Sequence, residues 1–201
     1  MKQKSVCFIF KSPIQQNMKK VCLLDEFLQA GYKLILCDIS YITNRVAHDS
    51  VKTSRIDEAY ANIHICKTYK ELYYILSLLS SKAIVFTRMQ WSLKTYCIYR
   101  YMEKSNIRYG YISLNEWNDL SVPHKRKITF IRISSLIKLA NAVFVRIPKK
   151  ILLKNGASFI ICNSKERIEM YRKRYTTTEK TDVLLLHSNV YDEALSLISE
   201  G

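Results

Sequence analysis

Glycine and proline are scarce, four and three in 201 residues. Collagen-like, linker-like and loop-rich architectures draw on both throughout and are therefore excluded. No G-x-G-x-x-G or G-x-x-x-x-G-K-[ST] pattern occurs, so no loop can cradle a dinucleotide or a triphosphate on glycine backbone in the usual way. The G-x-S-x-G elbow of the α/β serine hydrolases is missing too. His48, His64, His124 and His187 stand apart in the sequence, with no H-E-x-x-H or Cys/His grouping, and no metal is expected. Cys7, Cys22, Cys37, Cys66, Cys97 and Cys162 never form C-x-x-C and mostly sit inside apolar runs; they read as reduced core residues. Lys2, Gln3 and Lys4 lead directly into a short apolar strand, too short for a signal peptide or a spanning helix. The expected location is the cytoplasm.

Acidic residues are the scarce charge: 17 Asp and Glu against 32 Lys and Arg, a formal charge of +15. Such an excess suits an anionic partner, whether nucleic acid, an acidic membrane face or a phosphorylated ligand. It equally suits a biased composition with charge spread over solvated helices.

What is present is a chain meant to fold, with 48% hydrophobic residues and enough length for one good core. We expect a single domain over residues 1–201. Residues 5–10 form an apolar run of the kind buried on both faces of a parallel sheet. A polar loop from Lys11 to Asn17 follows, then Val21, Leu24 and Leu28 at helical spacing, with Gly31 as the stop. Residues 32–39 are the next buried strand. The rhythm continues with strands at 63–66, 82–87, 107–114, 157–162 and 183–186, and with helices carrying Leu72, Ile75, Leu76 and Leu79, then residues 92–104. From Lys125 the chain reads as a long helix. There Ile133, Leu136, Ile137, Ala140, Val143, Phe144 and Ile147 make a stripe about 120° wide, and Pro148 should end it. Ser164 reads as the cap of a basic helix with Ile168, Tyr171 and Tyr175 on one side, and a short helix should follow Asn189. Alternating strands and helices predict an α/β fold, an open doubly wound (Rossmann-like) parallel sheet.

In such sheets ligands sit beyond the carboxyl ends of the strands. Three loops there carry useful groups. Ser12, Gln15, Gln16 and Asn17 in the first can hydrogen-bond a sugar or a phosphate, or simply make a polar connection. Arg88 and Gln90 end another strand, and a guanidinium suits phosphate better than a lysine does. The loop after Leu114 holds Asn115, Glu116, Trp117, Asn118 and Asp119. A carboxylate beside an indole can act as general base on a sugar hydroxyl, with the ring stacking on the sugar or desolvating the acid. Glu116 and Asp119 are the candidate bases and Trp117 the stacking ring; Asp119 as a turn former and Trp117 as core filler are the alternatives. Lys125, Arg126, Lys127, Lys149 and Lys150 flank the apolar stripe. An amphipathic helix with cationic ends can lie on an anionic bilayer, each basic residue near it adding on the order of 1 kcal/mol. Core packing is the competing use of the stripe.

Residues Gly156 to Ser164, the basic helix after them, Val183 to Leu186 and then His187 to Asp192 together resemble the end of the N-terminal domain of GT-B fold glycosyltransferases. The opening strand, polar loop and repeated strand-helix units resemble the same acceptor-binding half. Two family features are absent: a glycine pair between Lys11 and Asn17, and a histidine where Asn115 and Glu116 stand. The resemblance implies polysaccharide, capsule or lipopolysaccharide biosynthesis, with half of a GT-B architecture that binds a sugar or lipid-linked acceptor at the cytoplasmic membrane face. It implies acceptor contacts from Ser12, Gln15, Asn17, Arg88, Gln90 and Trp117, and no cofactor beyond a nucleotide sugar used as donor. That donor would be held by a second half, expected on a partner polypeptide or lost by truncation before the nucleotide-sugar domain. A non-enzymatic nucleic-acid or regulatory module is the rival, favoured by +15 and by Tyr171 and Tyr175 interleaved with Arg172, Lys173 and Arg174.

Overall fold

A computed structural model describes residues 4–50, 56, 59–79, 83–113, 133–162, 168, 176–178 and 180–185. Seven strands lie among them: β1 (Ser5–Phe10), β2 (Lys33–Asp38), β3 (Asn62–Ile65), β4 (Ile84–Thr87), β5 (Tyr109–Ser113), β6 (Phe159–Cys162) and β7 (Asp182–Leu185). They form one sheet in the order β3-β2-β1-β4-β5-β6-β7. Every pairing is parallel, from Val6 opposite Leu34 and Ile84 at the centre to Phe159 opposite Asp182 at the edge. Helices cover both faces, which makes the fold an open, Rossmann-like, doubly wound α/β sheet.

Composition explains the layering. Val6, Cys7, Phe8, Ile9 and Phe10 are all buried, as a central parallel strand with no polar alternation requires. Their side chains divide between two cores. Val6, Phe8 and Phe10 join Leu34, Leu36, Phe86 and Ile112 under helices α1 (Met18–Val21) and α2 (Leu24–Gln29). Phe8 stacks on Phe86, ring centroids 5.0 Å apart. Cys7 and Ile9 join Val85, Tyr109, Tyr111 and Ile160 on the other face, under α5 (Tyr69–Ser77) and α6 (Leu93–Lys104). All six cysteines are buried except Cys97.

The helix expected after the first loop is broken. Leu23 has φ 54°, in the left-handed region that a branched residue adopts only under constraint, and it separates α1 from α2. The buried neighbours Cys22 and Leu24 fix the kink by each entering the core. Two short helices that the periodicity does not announce, α3 (Ser40–Thr43) and α4 (Arg45–Ser50), follow β2. The long helix appears as α7 (Ile133–Arg146), and Pro148 separates it from α8 (Lys149–Leu152). Its stripe is core only in part: Phe144 is buried and Ile147 packs against the same core, whereas Ile137, Ala140 and Val143 are exposed, and the side chains of Ile133 and Leu136 lie outside the described residues. The helix is apolar on nearly every side, so periodicity cannot say which side packs.

A buried hydroxyl network ties the second core together. Tyr111 donates to Tyr99 at 3.0 Å, and its oxygen lies 2.6 Å from Thr176 Oγ1 and accepts from the Thr176 N–H at 3.1 Å. Tyr109 shares the same threonine hydroxyl at 3.0 Å, and Tyr99 donates onward to the Met89 carbonyl. Burial, with neighbouring phenols adding to it, holds Tyr99 and Tyr109 well above the usual tyrosine range; burial pushes Tyr111 up to about 12, with its hydrogen bonds acting the other way. A folded pKa raised above the unfolded 10.0 means that folding favours the protonated form. The stability this confers is complete below pH 10 and drains away as pH rises past it. We therefore expect these three phenols to stay un-ionised until the fold opens, with phenolate absorbance and loss of circular dichroism rising together. A smooth titration of all 14 tyrosines near pH 10, with the fold retained, would contradict this.

Candidate functional site

The strand order reverses between β1 and β4, which are neighbours although far apart in sequence. Side-by-side strands whose connections leave in opposite directions open a crevice at their carboxyl ends. Two of the three loops singled out from sequence flank this crevice: Lys11 to Asn17 after β1, and Arg88 to Trp91 after β4. The Arg88 N–H donates to the Ile9 carbonyl at 3.2 Å, so the two loops begin hydrogen-bonded to each other.

The β4 loop is rigid. Met89 N–H is held by Thr87 Oγ1 at 3.1 Å, its carbonyl takes the Tyr99 hydroxyl, and the Gln90 carbonyl accepts from Thr95 Oγ1 at 2.7 Å. Ser92 then caps α6 in a reciprocal box with Thr95, Ser92 Oγ taking the Thr95 N–H at 3.2 Å and Thr95 Oγ1 taking the Ser92 N–H at 3.0 Å. Arg88 and Gln90 are thus presented, half-buried, from a fixed backbone. The Arg88 guanidinium lies beside the Cys22 thiol; burial pushes that thiol up to about 11 even though the arginine's charge pulls it down. Trp91 is buried and stacks on Phe144 of α7 at 5.1 Å. Its indole N–H has no hydrogen-bond partner among the described residues.

The β1 loop is more open. Pro13 and Ile14 pin it to the core, Gln15 is half-buried, and Ser12, Gln16 and Asn17 are exposed. Its rim is closed by α3 and α6. Thr43 Oγ1 donates to the Lys11 carbonyl at 2.8 Å, and Lys94 Nζ donates to the Thr43 carbonyl at 2.9 Å.

The end of β2 supplies groups that the sequence reading passed over. Asp38, 3% exposed, accepts the Ser40 N–H at 2.8 Å. The Ser40 hydroxyl, itself fully buried, shares a 2.8 Å hydrogen bond with His48 Nδ1. His48 is therefore not isolated: α4 folds it back over the strand end. An acid closing the apolar run 32–37 was the legible sign for Asp38, whereas nothing local marks Ser40 or His48.

Glu116, Trp117, Asp119, Lys125, Arg126 and Lys127 lie outside the described residues, as does the side chain of Lys150. Lys149 sits on α8, half-buried, and burial pushes its pKa down to about 8. No group of three or more His, Cys, Asp or Glu placed to hold a metal occurs among the described residues, and no helix among them is long and apolar enough to cross a membrane. Compared with known proteins, the chain matches no family model, no curated protein and no solved structure.

Proposed function

We propose that the chain is the acceptor-binding half of a glycosyltransferase of cell-surface polysaccharide biosynthesis, with its ligand at the β1–β4 carboxyl edge. One observation carries the reading. The crevice is furnished with polar side chains, Ser12, Gln15, Arg88 and Gln90, while the glycine backbone needed to seat a pyrophosphate is absent from it. A site of that kind recognises a hydroxyl-rich ligand group by group, with a guanidinium for any phosphate it carries. The buried Trp91 N–H, one residue after Gln90 and without a partner among the described residues, is a donor that a ligand oxygen can satisfy. In this reading Glu116 or Asp119, which follow the neighbouring strand β5 in the sequence, takes the proton of the acceptor hydroxyl. That oxygen then attacks the anomeric carbon, and the nucleoside diphosphate leaves with the donor-binding half.

The opposing reading is nucleic-acid binding through Lys173 and Arg174. Lys173→Glu with Arg174→Glu separates the two. Affinity for glycan fragments and sugar phosphates should be unchanged, and raising the salt should leave neutral-glycan binding as it was. An oligonucleotide ligand would instead be lost with the double change and would weaken steeply with salt.

A further inference from the structure

We infer that the exposed face of α7 and α8 is a docking surface for a bilayer containing anionic phospholipid. Three observations meet there. First, Ile137, Leu139, Val143, Val145 and Ile151 are large apolar residues left exposed, Leu139 at 63% and Ile151 at 70%. Second, Leu139, Val143, Phe144 and Ile147 line, with Leu93 at the start of α6, a predominantly apolar groove of about 480 Å³. Third, the chain from residue 120 to residue 165 contains ten Lys and Arg and no Asp or Glu. Among them Lys138, Arg146 and Lys149 lie on α7 and α8 themselves, with Lys154 just beyond.

The charge pattern selects the occupant. A second copy would bring the same acid-free segment against itself, so like charges would oppose the apolar gain. An anionic bilayer answers both features at once: apolar side chains enter the acyl boundary while the cations stay among the headgroups, Lys and Arg extending along their stems. The attachment of α7 fits this use. Asn141 Oδ1 accepts the Leu93 N–H at 2.8 Å, and Phe144 stacks on Trp91, which fastens the helix at the carboxyl edge and leaves its other sides open. Docked this way, the bilayer lies next to the β4 loop. The inference stands whatever ligand occupies that loop, since it concerns lipid rather than sugar.

Flotation with vesicles of phosphatidylcholine alone, and of phosphatidylcholine with phosphatidylglycerol, tests it on the full chain. The wild type should float with the anionic vesicles only. Leu139→Glu with Val143→Glu should weaken that binding about tenfold or more. Tyr74→Glu with Leu78→Glu makes the same charge change at two exposed apolar residues, one on α5 and one just after its end, and should bind like wild type. Circular dichroism of each variant checks the fold. Wild type remaining unbound to anionic vesicles overturns the inference, as do equal losses in the two variants, which would reduce the effect to net charge. A dimer in light scattering that Leu139→Glu with Val143→Glu dissolves, with no vesicle binding, would assign the face to a second copy instead.

Discussion

Gly156→Ala should cost about 3 kcal/mol of stability, or roughly 10 °C in melting temperature, while Gly31→Ala should cost only about 1 kcal/mol. Both glycines hold a positive φ, +67° and +78°, so both substitutions incur the left-handed penalty. The surroundings differ. A Cβ on Gly31 meets nothing within 4 Å, whereas on Gly156 it would stand 2.5 Å from the Thr176 carbonyl oxygen and 2.8 Å from Thr178 Cγ2. Thr176 cannot simply retreat, because its N–H and hydroxyl are bonded into the Tyr109–Tyr111 network and its carbonyl takes the Ala157 N–H at 2.7 Å. From the other side, the Glu103 carboxylate accepts the N–H groups of Lys154, Asn155 and Gly156, the last at 2.7 Å. Residue 156 is clamped between a carboxylate and a carbonyl, and relief at either one breaks hydrogen bonds at the other. Urea unfolding of the two variants measures the difference; equal costs would show that the contact with Thr176 yields freely.

Arg88→Ala should weaken binding of a phosphorylated sugar roughly 10- to 100-fold, the loss expected for one charge-assisted hydrogen-bonded contact of about 1.5–3 kcal/mol. Arg88→Lys should recover only part of it, since an ammonium cannot reproduce the planar fork. The neutral sugar should bind all three proteins alike, which separates loss of a phosphate contact from damage to the site. Arg100→Ala, an exposed cation on the outer face of α6, serves as the charge control and should have no effect. Isothermal titration of the four proteins decides it: equal affinity for the phosphorylated sugar in wild type and Arg88→Ala would remove Arg88 from the site.

The fold was legible because its elements announce themselves locally. Residues 5–10 are a strand buried on both faces and show no polar alternation. Ser92 stands three residues before Thr95 and caps α6. Pro148 ends α7. Gly31 takes the positive φ that closes α2. What escaped was decided by tertiary contacts. The break at Leu23 comes from Cys22 and Leu24 both entering the core, and no propensity scale favours a leucine there. The Tyr99–Tyr111–Thr176 network joins residues up to 77 positions apart, and spacing in sequence carries no trace of it. The candidate site was half legible for the same reason. The two loops could be chosen because each follows an apolar run, but their adjacency depends on β4 pairing with β1 rather than β3. Ser40 and His48 join the edge only through α3 and α4, short helices with too few turns to imprint a period on the sequence.

The most direct test of the carboxyl-edge sugar site is the melting temperature of the purified chain against acceptor glycans, nucleotide sugars, free nucleotides and short oligonucleotides, at low and high salt. A rise with a sugar ligand that survives high salt is the expected result, and a response to nucleotide sugar would add that part of the donor is also contacted. Stabilisation by oligonucleotides alone, vanishing at high salt, would contradict the account and make the chain a nucleic-acid-binding module.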